Sequence, residues 1–89
     1  MSQFISEIGK RIDLELNVLF VSQPKESQFG LWNTNVCETP QGDRVIYHGK
    51  LLNPQKKYQV RATIKQHRIL GNKQTTVINR PKIQKVSAQ

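Results

Sequence analysis

The chain has little of what small proteins use for chemistry or covalent stapling: its 89 residues include one cysteine, one methionine and one tryptophan. Cys37 has no second thiol for an internal disulfide or a zinc site, and it reads as a small apolar strand residue. No apolar run approaches the roughly 20 residues that cross a bilayer as a helix. The opening MSQFISEIGKR lacks the apolar stretch of a signal peptide. We therefore expect a cytoplasmic protein with no membrane contact. His48 and His67 are not spaced as metal ligands on a single element, and Cys37 has no identifiable base. The segment Gly71-Asn72-Lys73 is too short for a phosphate-binding P-loop. These absences point away from an enzyme and from a metal or cofactor. A chain of this length also buries only about 60% of its unfolded surface, which leaves no room for a cleft between lobes.

The scarcest feature is acid in the second half. All six carboxylates (Glu7, Asp13, Glu15, Glu26, Glu38, Asp43) fall within the first 43 residues, against Lys10, Arg11 and Lys25, leaving that half at −3. From Arg44 onward there are eleven Lys and Arg and no carboxylate side chain, so this half carries +11 and the chain +8. Soluble surfaces usually intersperse both signs, so a split of this size points to a polyanionic partner. The cations are threaded through apolar strand positions, which argues against a simple basic tail.

What is present alternates. In Lys10 to Val21, Ile12, Leu14, Leu16, Val18 and Phe20 share one parity, opposite Arg11, Asp13, Glu15 and Asn17; this is a half-buried strand. Leu19 and Val21 break the pattern, which predicts a strand that bends or becomes buried on both faces. The polar SQPKESQFG stretch from Ser22 to Gly30 reads as a loop. Further strands are predicted from Leu31 to Thr39, from Arg44 to Leu52 and from Tyr58 to about Arg68. The last is predicted from Lys73 to about Val86, with turns at Pro40 to Asp43 and Leu70 to Asn72. Gly49 marks a bulge or a close backbone approach, and Pro81 an edge or bulge. Residues 1–9 read as a lead-in, with Phe4, Ile5 and Ile8 forming a helical turn or a strand-like clamp. Residues 10–86 then form one domain, and 87–89 a tail. Five short strands without a confident helix predict an all-β chain closed into a small five-stranded OB-like barrel, with an SH3-like barrel as the alternative.

The segment from Tyr58 to Lys82, YQVRATIKQHRILGNKQTTVINRPK, resembles a pattern in OB-fold modules of phage and mobile-element replication and single-stranded DNA-binding proteins. Lys65, His67, Gly71, Lys73, Gln74, Thr75 and Arg80 match it in order and spacing; Gly9, Arg11 and Gly30 match a looser first half. Members often carry a Trp near the end of the third strand, where this chain has Tyr47 and His48, a departure at the stacking platform. The resemblance implies a non-catalytic module of phage or mobile-element origin, working in the cytoplasm of a bacterial host.

Single strands are held by cations along the phosphates and by aromatic faces under the bases. In an OB-fold the ligand crosses the second and third strands between the first-to-second and fourth-to-fifth loops. That selects Phe29, Trp32, Tyr47 and His48 for stacking, with Lys25, Arg44, Lys50 and Lys73 as phosphate partners. Trp32 reads equally well as a cap on the core, and Tyr47, which shares a parity with Val45, reads better as core than as a stacking ring. Arg61, Lys65 and His67 share a parity and predict a cationic stripe that either extends the groove or is merely solvated, and Arg80 completes the set. The expected partner is single-stranded DNA or RNA. Other readings are a module that grips a host or replication protein, and a ribosomal-type binder of structured RNA. A barrel with exposed edges is also open to self-association.

Overall fold

The computed structural model describes residues 3–28 and 30–88, and these form an all-β barrel without a helix. The strands are β1 (Arg11–Val21), β2 (Lys25–Ser27), β3 (Gly30–Glu38), β4 (Arg44–Gly49), β5 (Lys56–Leu70) and β6 (Lys73–Ala88). They run in the order β1-β5-β6-β4-β3-β2, and a β1–β3 ladder closes the sheet. The barrel is therefore five-stranded, with β2 as an added strand in the β1–β3 connection. Every ladder is antiparallel except β4–β6. This parallel closure within a Greek-key order is that of an OB-like barrel.

Alternation supplies the core. Leu14, Leu16 and Val18 of β1 meet Tyr58, Val60, Ala62 and Ile64 of β5, with Cys37, Val45, Leu52 and Ile78 completing the cluster. Each fully buried aliphatic side chain contributes about 1.5–3 kcal/mol. Burial also pushes the Cys37 thiol up to about 12, which keeps it protonated and unreactive. Asn35 sits fully buried among these residues. Its amide donates to the carbonyls of Tyr47 and Lys50 at 3.1 and 2.9 Å, and its Oδ1 accepts the Leu52 amide at 3.0 Å. The strut ties the end of β4 to β3 with every polar atom paired.

The predicted elements exist, with shifted bounds. β4 ends at Gly49 rather than Leu52, β5 and β6 are longer than expected, and β2 interrupts the predicted loop. Gly71 and Asn72 both have positive φ, 56° and 65°, the requirement of a two-residue type I′ hairpin. A Cβ on Gly49 would collide with the Tyr47 ring, so this glycine permits a close approach. Pro81 lies in a bulge, where two residues of β6, Arg80 and Pro81, stand against Ala62.

Two expectations fail at bulges. Register shifts between Val18 and Phe20, which turns Phe20 outward beside Val36 and leaves it 57% exposed instead of in the core. Register shifts again between Ile64 and Gln66, so Lys65 and His67 no longer share a face. Residues 3–9 form a clamp rather than a helical turn. The amides of Gln3, Phe4 and Ile5 donate to Asp43 Oδ1, Gln74 Oε1 and Thr76 Oγ1, and Ile5 packs against the core.

Candidate nucleic-acid interface

The outer surface of β3 and β4 is built by cross-strand pairing. Thr34 of β3 stands opposite His48 of β4, and one step along, Val36 stands opposite Ile46, which in turn faces Val77 of β6. Val36, Ile46 and Val77 form a small apolar cluster separate from the core, with exposed Phe20 beside Val36. Above this floor, Trp32 meets the His48 ring edge to face at 5.6 Å between centroids. Thr34 Oγ1 lies 3.0 Å from His48 Nδ1, which fixes the imidazole's orientation. Lys25 pairs with Trp32 across β2–β3 and holds its ammonium 5.4 Å from the ring centroid.

The electrostatics converge on His48. Its pKa is lowered from 6.5, first by partial dehydration against its neighbours and then by the charges of Lys65, Arg68 and Lys25. Lys25 comes from the β1–β3 connection and the other two from the distal half of β5, so cations on both flanks act on one ring. All of the charges depressing it are positive. Such a field attracts a polyanion, and an exposed imidazole between cations gains a proton most readily when a phosphate arrives.

Of the residues selected from sequence, Lys25, Trp32, His48 and Lys65 are brought together. Arg68 joins them unforeseen: the bulge at Lys65 reverses the parity of the next residues, and no Gly or Pro in KQHR announces it. Phe20 is the second residue missed, for the same reason at the Leu19 bulge. Arg44, Lys50 and Lys73 lie toward the margins, at the two ends of β4 and the start of β6. Phe29 lies outside the described residues.

Three selected residues sit elsewhere, and so does one ring. Arg61 lies on the β1–β5 face, 4.0 Å from Asp13. His67 serves the clamp: its ring stacks on Phe4 at 4.2 Å and its Nε2 lies 2.7 Å from the Ser6 carbonyl. The predicted stripe of Arg61, Lys65 and His67 is thus divided among three places. Arg80 has a φ of 50° in the β6 bulge, and its carbonyl accepts Arg11 Nη1 at 3.1 Å. The Tyr47 ring packs against the core over Gly49, and its hydroxyl accepts the Lys50 amide at 3.3 Å, so it is engaged on the core side rather than among the outer rings.

Among the described residues no cluster of metal-ligating side chains occurs, and no helix is long and apolar enough to cross a membrane. No family model matches this chain, and none of the curated proteins or solved structures compared with it does.

Proposed function

We propose that this chain is a non-catalytic binder of single-stranded nucleic acid, with DNA as its ligand, of the replication-accessory kind found in phage and mobile elements. The observation that carries the reading is the meeting of Trp32 and His48 with Lys25, Lys65 and Arg68 on the outer face of β3 and β4. Cations on both flanks follow a phosphate backbone, and the aromatic rings between them, with Phe20 at the rim, take successive bases. Stacking of this kind is indifferent to sequence, because every base has a π-face. The resemblance of the Lys65 to Arg80 block to phage modules supports the same reading.

The test is a fluorescence-anisotropy titration of a labelled oligothymidylate of about 30 nucleotides, repeated over a series of salt concentrations and against duplex DNA, single-stranded RNA and a folded RNA. We expect the single strand to bind most tightly and log affinity to fall linearly with log salt. Trp32→Ala weakens binding by about 1–3 kcal/mol, the range for one stacked base. Tighter binding of folded RNA, or a Trp32→Ala variant that binds like the parent, would overturn the reading.

A further inference from the structure

The ladder between β4 and β6 covers only Thr75 to Ile78. Beyond it the strands diverge, and β6 runs on to Ala88 with β5 as its sole strand partner among the described residues. One backbone edge of this half of β6 therefore has no ladder, and nearly all of its side chains are exposed.

The two faces of this segment differ in kind. Lys82 pairs with Arg61 and Lys85 with Gln59, on the outer side of the sheet. Ile83 pairs with Val60 and Val86 with Tyr58, both core residues, yet Ile83 and Val86 remain 48% and 47% exposed. The register shift at Gln84 is what lets residues three apart share a face, so that Lys82 and Lys85 stay together and so do Ile83 and Val86. The β4–β5 connection lies near the apolar side, where the Asn53 amide donates to Tyr58 Oη at 2.8 Å. That connection also carries the exposed Leu51.

Lysines along an edge discourage pairing with another edge, but edge protection alone gives no reason to expose Ile83 and Val86 beside it. A second copy of this strand would set Lys82 and Lys85 against their own kind, and like charges directly opposite are destabilising. An added strand that alternates acid and apolar residues meets every feature at once. Its backbone completes the ladder, its carboxylates face Lys82 and Lys85, and its apolar side chains cover Ile83 and Val86. We propose that residues 82–88 of β6 form a docking edge for an extended acidic–apolar peptide segment of another protein, taken up as a further β-strand. This site is separate from the β3–β4 face and does not depend on it.

The test uses the full chain and a labelled ten-residue peptide of alternating Glu and Val, with a block peptide of five Glu followed by five Val as control. Binding is read by anisotropy, and its place by amide hydrogen exchange. We expect the alternating peptide to bind and to slow exchange at alternate amides between 82 and 88. Its affinity should fall about tenfold in Lys82→Glu/Lys85→Glu and be unchanged in Trp32→Ala, whose oligothymidylate binding is the property that suffers. Four results would overturn the proposal: no binding, equal binding of the block peptide, protection at β3 and β4 with displacement by oligothymidylate, or protection of 82–88 through self-association without peptide.

Discussion

Two outer faces of the barrel carry cations of opposite fate. On the β1–β5 face, Lys57 lies 3.5 Å from Glu15 and Arg61 lies 4.0 Å from Asp13. On the β3–β4 face, Lys25, Lys65 and Arg68 act together on His48. The first arrangement follows from the pairing of an acidic strand with a basic one: β1 brings the carboxylates and β5 the cations, in register from Arg11↔Thr63 to Asn17↔Lys57. Such exposed pairs add at most about 1 kcal/mol to stability, but they give Lys57 and Arg61 carboxylate partners within the chain. A cation's availability to a polyanion is thus decided by its cross-strand neighbour. The charge split of the sequence is erased where carboxylates of β1 face cations of β5, and cationic character survives where the cross-strand neighbours are neutral, as at Lys25 opposite Trp32 and Arg68 opposite Thr75.

The largest effect is expected beneath the cationic face. Asn35→Leu keeps most of the volume but strands two carbonyls and an amide in the core. We expect a loss of about 3 kcal/mol in urea unfolding, since each buried unpaired group costs roughly 1–3 kcal/mol. A variant as stable as the parent would mean that the end of β4 is held by something other than this strut.

The contrast between the faces can be broken by two variants of equal charge change. Lys65→Glu/Arg68→Glu and Lys57→Glu/Arg61→Glu each alter the net charge by −4. If position governs binding, the first lowers oligothymidylate affinity about 100-fold and the second by less than about fivefold. Equal losses would reduce the interface to overall charge. A smaller effect of opposite sign sharpens the comparison: Asp13→Asn/Glu15→Gln releases Arg61 and Lys57, and should raise affinity about threefold at low salt by adding a second cationic surface. That gain should vanish as salt shortens the Debye length.

How much of this was legible in the sequence depends on where the strands bulge. Regular stretches betrayed themselves by parity: Leu14, Leu16 and Val18, or Tyr58, Val60, Ala62 and Ile64, are buried as their alternation requires. The barrel could be counted from such runs together with turn residues such as Gly71 and Asn72. A bulge inverts parity for every residue after it, and the bulges at Leu19 and Lys65 carry no Gly or Pro. By alternation alone Phe20 therefore falls in the core and Arg68 falls off the cationic face. Which cations are cancelled was illegible for a different reason: opposition of Asp13 to Arg61 is a fact of register between strands about 48 residues apart, and local pattern does not encode it. The role of His67 in the clamp has the same cause, since Phe4 and Ser6 come from the far end of the chain.

The smallest effect distinguishes a ligand-sensing ring from a merely solvated one. In the free protein His48 has its pKa held below 6.5 by dehydration and by Lys65, Arg68 and Lys25. Well above pH 6.5 the ring is neutral in both folded and unfolded chains and contributes nothing to the pH dependence of stability. As pH falls through 6.5 the unfolded chain takes up its proton first, so stability declines until the lower folded pKa is passed. A bound phosphate reverses this local field and raises the pKa, so binding at mildly acidic pH takes up a proton. Oligothymidylate affinity should therefore rise a few-fold between pH 8 and about pH 5.5. His48→Gln keeps a polar side chain beside Thr34 but cannot titrate, and it should flatten that rise while making the folded chain less sensitive to acid. Parallel pH profiles for parent and variant would show that no phosphate approaches this ring, and would move the strand's path away from His48 toward Trp32 and Phe20.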